Sequence, residues 1–294
     1  MKIRVGSRDS RLAVIQAEMV MHCIQQYHPE MDVELVTMKT TGDKILDRTL
    51  DQIGGKGLFV KELDRALLAG KVDITVHSFK DMPMEQDPRL PIVAVSAREI
   101  PFDALVLPSG RRQLDPSKPI GCASARRQIQ LEALFPGTAI RPVRGNVQTR
   151  LAKLESGEYG ALVLAYAGLK RLGLEDRVSR VFTQQEMLPA ACQGILAVQA
   201  REGMDVSFLR EFHHASAYII ACAERSFVAE LNGGCSAPIA AFATIAHDQL
   251  TLEGLYQEET ARRVLRDRIT GPCAEAVELG RRLARRMREE MVTR

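Results

Sequence analysis

The stretch 231–240, "LNGGCSAPIA", sets one cysteine directly after two glycines and three residues before a proline. Glycines let a backbone approach a ligand closely, and Pro238 stiffens the exit. Cys235 is therefore a candidate to carry a bulky group. A nucleophilic thiol needs a base or a positive field to lower its pKa. No Cys-His-Asn pattern surrounds this one, so a structural cysteine stays open as an alternative. A second candidate is "HSFKDMP" (77–83), where Asp81 suits an acid or a stabiliser of positive charge; the alternative is a solvated loop turning before Pro83. A third pairs "CASARRQIQL" (122–131) with "RPVRGNVQTR" (141–150). Cations at a helix start oppose its macrodipole, so Arg126 and Arg127 serve another purpose there. Guanidinium forks match carboxylates two bonds at a time. Arg126, Arg127, Arg144 and Arg150 are expected to line one cleft wall and hold carboxylates, with surface ion pairs as the alternative. Few acids lie nearby in sequence to form such pairs. In "IGGKGLF" (53–59), glycines precede a helix without matching either phosphate-binding fingerprint. A lid is the favoured reading, with Lys56 as an anion contact.

Elements must position these groups. "KIRVG" (2–6), "VELVTM" (33–38) and "DITVHS" (73–78) read as strands. Leu12, Ile15, Met19, Cys23 and Ile24 recur at helical spacing, and 58–70 reads as a helix ending at Gly70. That alternation predicts an α/β sheet with its site at the strand ends. After a break at 97–108, a second alternating unit runs through "PIGCAS", "ARRQIQLEALF", "AIRPV", "NVQTRLAKLESG" and "GALVLA"; another break follows at 186–195. From about residue 219 the order changes to a helix, three β-type runs and a basic closing helix, which is α+β grammar. The arginines of that last helix read as a solvated face with intrahelical ion pairs.

Size and composition fit this division. The 294 residues, 46% hydrophobic and 26% charged, describe an ordinary globular chain able to bury cores. The net charge of +3 argues against nucleic acid as a partner. The segment 111–150 holds eight Lys/Arg against two Asp/Glu, a net of +6, which leaves −3 for the rest. A field concentrated in one segment predicts a compact anionic partner. No apolar run approaches the roughly 18 residues of a membrane span, and the opening residues lack the apolar region of a secretory signal. Six scattered cysteines form no C-x-x-C pair, and six histidines lack zinc spacing. The expectation is a cytoplasmic protein with no metal and no membrane partner.

Taken together and in order, "GSRDSRLA", "GDKILD", "GGKGLFVKELD", "DITVHSFKDMP", "ARRQIQL", "VRGNVQTRL", "AGLKRL", "LPAACQGIL" and "AERSFVAELNGGCSAPIA" resemble the porphobilinogen deaminase (hydroxymethylbilane synthase) family nearly end to end. The resemblance implies a transferase that joins four porphobilinogen molecules head to tail into hydroxymethylbilane, releasing ammonia, in tetrapyrrole (haem) biosynthesis. It implies a dipyrromethane cofactor held by a thioether to Cys235 as primer. It implies Asp81 as the catalytic aspartate and Ser10, Ser78, Lys80, Ser124, Arg126, Arg127, Arg144 and Gly145 as cofactor contacts. Arg8, Arg150, Arg171 and Gln193 are implied as substrate contacts, and Lys56 and Phe59 as parts of a mobile lid. The implied fold is two periplasmic-binding-protein-like α/β domains plus a smaller α+β C-terminal domain. The expected boundaries are 1–98 with 195–216, then 99–194, then 217–294, in a monomer. Two stretches depart from the family's pattern. "GCAS" stands where hydroxyl residues are common, so Cys122 and Ala123 are expected to remove two side-chain contacts. "HHASAYIIACAER" lies at the expected inter-domain junction. The rival function is a non-catalytic binding protein for a carboxylate-bearing, tetrapyrrole-like ligand, and a cysteine hydrolase is a more distant one.

Overall fold

A computed structural model describes residues 1–40, 42, 60–233, 237–257 and 263–293. Three sheets carry the chain. The first contains β1 (Lys2–Arg8), β2 (Asp32–Met38), β3 (Ile74–Ser78), β4 (Ile92–Val95) and β10 (Leu196–Ala200) in the order β2-β1-β3-β10-β4. β1 runs parallel to β2 and β3, and β10 runs antiparallel to both β3 and β4. The second contains β5 (Asp103–Val106), β6 (Ile120–Gly121), β7 (Ile140–Arg141), β8 (Ala161–Ala165) and β9 (Arg180–Val181) in the order β7-β6-β8-β5-β9. Its β6, β7 and β8 are parallel, and β5 is antiparallel to its neighbours β8 and β9. The third is the meander β11 (Ile239–Ala246), β12 (Gln249–Gln257) and β13 (Val264–Pro272).

Each helix buries one face, but in α1 (Arg11–Tyr27) not the expected one: of Leu12, Ile15, Met19, Cys23 and Ile24 only Ile24 is buried, and Met19 is 43% exposed. Ala13, Gln16, Ala17, Val20 and Ile24 are buried instead, the three-and-four spacing of one helix face. α2 (Lys61–Leu68) buries Leu63, Ala66 and Leu67, and Gly70 beyond it takes a φ of 65°. That left-handed turn is the usual helix exit and favours glycine. α3 (Ala125–Leu134), α4 (Val147–Glu155) and α5 (Tyr166–Arg171) belong to the second sheet's unit. α6 (Ala215–Glu230) and α7 (Ala276–Thr293) pack on the meander, where Phe227, Leu250, Leu252, Leu279, Leu283 and Met287 form one core. A Cβ on Gly254 would stand 2.4 Å from the Phe227 ring, so this strand position admits the helix only without a side chain.

Sequence and structure part at several elements. The expected breaks at 97–108 and 186–195 conceal or border strands: β5 lies inside the first, and β10 directly follows the second. Both are short and buried throughout, so neither shows the polar alternation that marks a half-exposed strand. The arginines of α7 are not confined to intrahelical pairs. Arg285 meets Glu230 of α6 at 3.0 Å, and Arg286 meets Asp267 of β13 at 2.7 Å. They fasten the helix across the third unit's surface.

β3 buries His77, whose Nε2 lies 2.9 Å from the Thr75 hydroxyl. Burial, with Arg8 adding, pushes the imidazole down to about 4. An unfolded chain would protonate this histidine near its ordinary value of about 6.5. Since the folded value is the lower one, His77 favours folding fully above about pH 6.5, and that contribution falls as pH drops toward 4. The expected loss is about 3 kcal/mol across that window. Denaturant unfolding at several pH values checks it, and His77→Gln should remove this part of the acid slope.

Candidate active site

The strand ends converge on one cavity of about 310 Å³. The first unit contributes Gln16 of α1, Ser78 at the end of β3, and Lys80 and Asp81 from the 3₁₀ turn Phe79–Asp81. The second contributes Ala123 and Ser124 after β6, Arg126 and Arg127 at the start of α3, Arg144, Arg150, and Arg171 of α5. The crossing segment adds Ala190, Ala191, Gln193, Gly194 and Ile195, and the third unit adds Val228, Ala237 and Ile239. Six cationic side chains thus face one lining carboxylate, Asp81, among the described residues. The carboxyl ends of β3, β6 and β8 feed this wall, as expected for ligand sites in α/β sheets.

The cations are crowded and partly withdrawn from water. Burial lowers the Arg150 guanidinium to about 10, with Arg127 and Arg144 adding to the effect. Its Nε donates to the Gly145 carbonyl at 2.8 Å. Burial likewise brings Arg171 down to about 10, and its Nη2 donates to the Gly194 carbonyl at 2.6 Å. Lys80 is lowered by burial to about 8, with Asp81 opposing and Arg127 assisting. Like charges held together in a poorly hydrated cavity raise each other's energy, and a bound polyanion relieves that repulsion. The wall is built for a ligand carrying several carboxylates.

Arg126 and Arg127 are engaged more deeply than their sequence neighbourhood suggests. Asp103, fully buried at the start of β5, accepts from Arg126 Nη1 at 2.8 Å and from Arg127 Nη2 at 2.6 Å and Nε at 3.1 Å. Arg126 also donates to the Leu188 carbonyl, and Arg127 to that of Val163. The acid that pairs with them is supplied from 23 residues upstream, which is why local sequence showed none. Burial would raise the Asp103 carboxyl, but the two guanidiniums outweigh it and hold it ionised, below the usual carboxylate range.

The expected residues sort into three groups. Ser78, Lys80, Asp81, Ser124, Arg126, Arg127, Arg144, Arg150, Arg171 and Gln193 come together around the cavity. Arg8 ends β1, Ser10 caps the start of α1, and Gly145 sits behind Arg150; none of these three lines it. Lys56, Phe59 and Cys235 lie outside the described residues, although Ala237 and Ile239, just beyond Cys235, reach the cavity wall. The "GCAS" departure also divides. Cys122 packs in the core with Ile120 and Leu131, so only Ala123 faces the cavity and one contact is affected rather than two. Asp103 and Gln16 were missed. Each had a signal: Asp103 interrupts the apolar run "FDALVL", and Gln16 falls on the apolar stripe of α1. No group of three or more His, Cys, Asp or Glu able to hold a metal ion occurs among the described residues.

This architecture and wall define an α/β protein with a cationic cleft for a small polycarboxylate. The model of the porphobilinogen deaminase dipyromethane cofactor binding domain matches residues 3–207, and that of the porphobilinogen deaminase C-terminal domain matches 218–289. Proteins named porphobilinogen deaminase are 59% identical in Acetivibrio thermocellus, covering 98% of each chain, and 46% identical in Chromobacterium violaceum, covering 97% of this chain and 94% of that one. The chain belongs to the porphobilinogen deaminase family. Among solved structures, it is similar at 14% identity to the BenM effector-binding domain with benzoate (TM-score 0.42, 72% of this chain and 88% of that one). It is similar at 12% to the alkanesulfonate-binding protein SsuA of Xanthomonas axonopodis pv. citri (TM-score 0.38, 79% and 75%).

Proposed function

We propose that the cavity is where this transferase joins four porphobilinogen molecules head to tail into hydroxymethylbilane, releasing ammonia, on a dipyrromethane primer. The observation that carries this reading is the bank of six cations around one exposed carboxylate. Each pyrrole of the substrate bears acetate and propionate arms, so substrate and product both present several carboxylates to these cations.

The same donor set fits the cofactor. Lys80, Ser78, Ser124, Arg126, Arg127 and Arg144 are the residues that would hold its carboxylates. When bound, the dipyrromethane supplies the nucleophilic terminal ring on which the product is assembled. We read Cys235 as its thioether attachment. A soft sulfur suits attack on an electrophilic methylene carbon, and the neighbouring Ala237 and Ile239 line the same cavity.

The chain's own residues do the rest. The arginines seat the substrate's arms and orient the ring. The aminomethyl group, already protonated as an ammonium, leaves as ammonia when its C–N bond breaks and the electron pair goes to nitrogen. The positive charge left behind spreads over the exocyclic carbon and the pyrrole nitrogen. Asp81 is the one lining carboxylate placed to stabilise that charge, and a fixed counter-charge in a poorly hydrated cavity is worth far more than in water.

We also propose domain boundaries at 1–98 with 195–216, 99–194 and 217–294. The pairing of β10 with β3 and β4 supports a first domain completed late in the chain. We take the protein as a monomer. We take the protein as cytoplasmic, on its scattered cysteines, of which the five described are free thiols.

Intact-protein mass spectrometry tests the central reading. The wild-type chain should carry the added mass of two linked pyrroles, and Cys235→Ser should lack it. A folded wild-type chain that takes up no pyrrole from porphobilinogen overturns the reading. Ammonia release on mixing with porphobilinogen separates the enzyme from a protein that only binds such ligands.

A further inference from the structure

We infer that Asp103 is a positioning residue for this reaction, holding Arg126, Arg127 and, through the Gln193 amide, Lys80 in the geometry that receives the carboxylates of the primer and of the chain grown on it. The inference rests on the functional reading above and adds a residue that touches no ligand. Asp103 does not line the cavity. It is fully buried behind the wall and bonded to two of the wall's guanidiniums.

The third link fixes the amide. Gln193 Nε2 donates to Asp103 Oδ1 at 2.9 Å and to the Pro101 carbonyl at 2.6 Å. Both acceptors lack a proton to give, so the nitrogen must face them and the oxygen must face away. That oxygen, Oε1, accepts from Lys80 Nζ at 3.1 Å. Asp103 therefore sets which way Gln193 points, and Gln193 sets where the ammonium sits. Gln193 is itself 1% exposed, and the Arg98 Nε donates to its backbone carbonyl at 2.9 Å. Both ends of the residue are held.

The arrangement also moderates charge. Without Asp103, two buried guanidiniums would stand unpaired close to Lys80. The groups bearing on that ammonium are Asp81 and Asp103, which favour it, and Arg127 and Arg126, which oppose it. Removing one favourable charge should release the proton from Lys80 at lower pH and leave the arginines free to turn. A primer whose carboxylates are held loosely would present its terminal ring poorly to the incoming substrate, which reads as a higher KM.

Two variants and two readouts test this. Asp103→Asn keeps the side-chain volume and removes the charge. Gln193→Leu leaves the arginine pairs and removes the amide's links to Lys80, Asp103 and the Pro101 carbonyl. The first readout is trace acetylation of Lys80 between pH 6 and 10, followed by peptide mass spectrometry, which needs no turnover. The wild type should reach half its limiting reactivity near pH 8, and both variants should reach it about one pH unit lower. The second readout is condensation of porphobilinogen, where Asp103→Asn should raise KM at least about tenfold, equivalent to about 1.4 kcal/mol of lost binding, with a smaller change in kcat. A structural role alone would lower the melting temperature but leave the folded fraction with wild-type KM and wild-type Lys80 reactivity, and that result overturns the inference. If Asp103→Asn does not fold, an unmoved Lys80 profile in Gln193→Leu overturns it equally. A wild-type chain that fails to condense porphobilinogen instead refutes the functional reading, while the acetylation profiles still decide the role of Asp103.

Discussion

Asp81→Ala is expected to lower the rate of porphobilinogen consumption by about 10²–10⁴-fold, the range that loss of a positioned acid–base or charge-stabilising group produces. The fold should be unaffected. Asp81 is exposed on the 3₁₀ turn after β3, so truncating it opens no core cavity and strands no partner in the interior. The binding of carboxylates should survive, because Asp81 is the one negative lining group among the described residues and its loss leaves the wall more cationic. The expected pattern is therefore a collapse of kcat with KM unchanged or lowered, since the carboxylate is needed chiefly when positive charge develops. Single-turnover measurements alongside the melting temperature check both halves. Turnover within a few-fold of wild type would move the charge-stabilising role to another residue.

Glu224→Ala should give the largest loss of stability, about 3–5 kcal/mol, the cost of removing one partner from a buried ion pair. Glu224 is fully buried in α6. Its carboxylate accepts from Arg98 Nη1 at 2.6 Å and Nη2 at 3.1 Å, from the Cys192 amide at 2.6 Å and from the Ala243 amide at 2.7 Å. Those donors come from the segment after β4, the crossing segment and β11, so one side chain ties all three units together beside the cavity. Alanine would leave the two Arg98 terminal nitrogens and two backbone amides without this acceptor, while Arg98 Nε keeps the Gln193 carbonyl. Urea unfolding of the variant checks the figure, and a change below about 1 kcal/mol would show that water replaces the carboxylate at this junction. The junction was expected to depart from the family's pattern in "HHASAYIIACAER". The hydrogen bonds at this junction converge on Glu224, the middle residue of the retained "AER" that ends the stretch.

Sequence reading reached the groups that sit at the ends of regular elements. Asp81 follows a strand of strong β pattern, and Arg126 and Arg127 open a periodic helix, so local order alone placed them at strand ends where α/β sites form. Asp103 and Glu224 escaped for one shared reason. A carboxylate inside an apolar run or on an apolar helix stripe carries no local sign of what neutralises it. Glu224 lies seven residues beyond Ala217 and four before Val228, both buried on the same face, and the adjacent Arg225 is not its partner. Arg225 instead stacks on the Phe79 ring, its guanidinium carbon 4.8 Å from the centroid. The partners of both acids lie on other elements, and only chain folding across the sheets brings them within hydrogen-bond reach.

The amino-acid sequence by itself determined the helices and strands with clear periodicity, that two α/β units precede an α+β one, and that positive charge gathers in 111–150 to meet a carboxylate-bearing ligand. Those properties follow from short-range periodicity and composition, which act within a few residues along the chain. The tertiary structure alone decided that β10 returns to the first sheet, that Cys122 turns into the core while Ala123 faces the cavity, and that Asp103 and Glu224 brace the wall from behind. These depend on which distant segments share a buried, weakly screened space. There a single unpaired charge costs several kcal/mol, so the fold settles on the arrangement that pairs them.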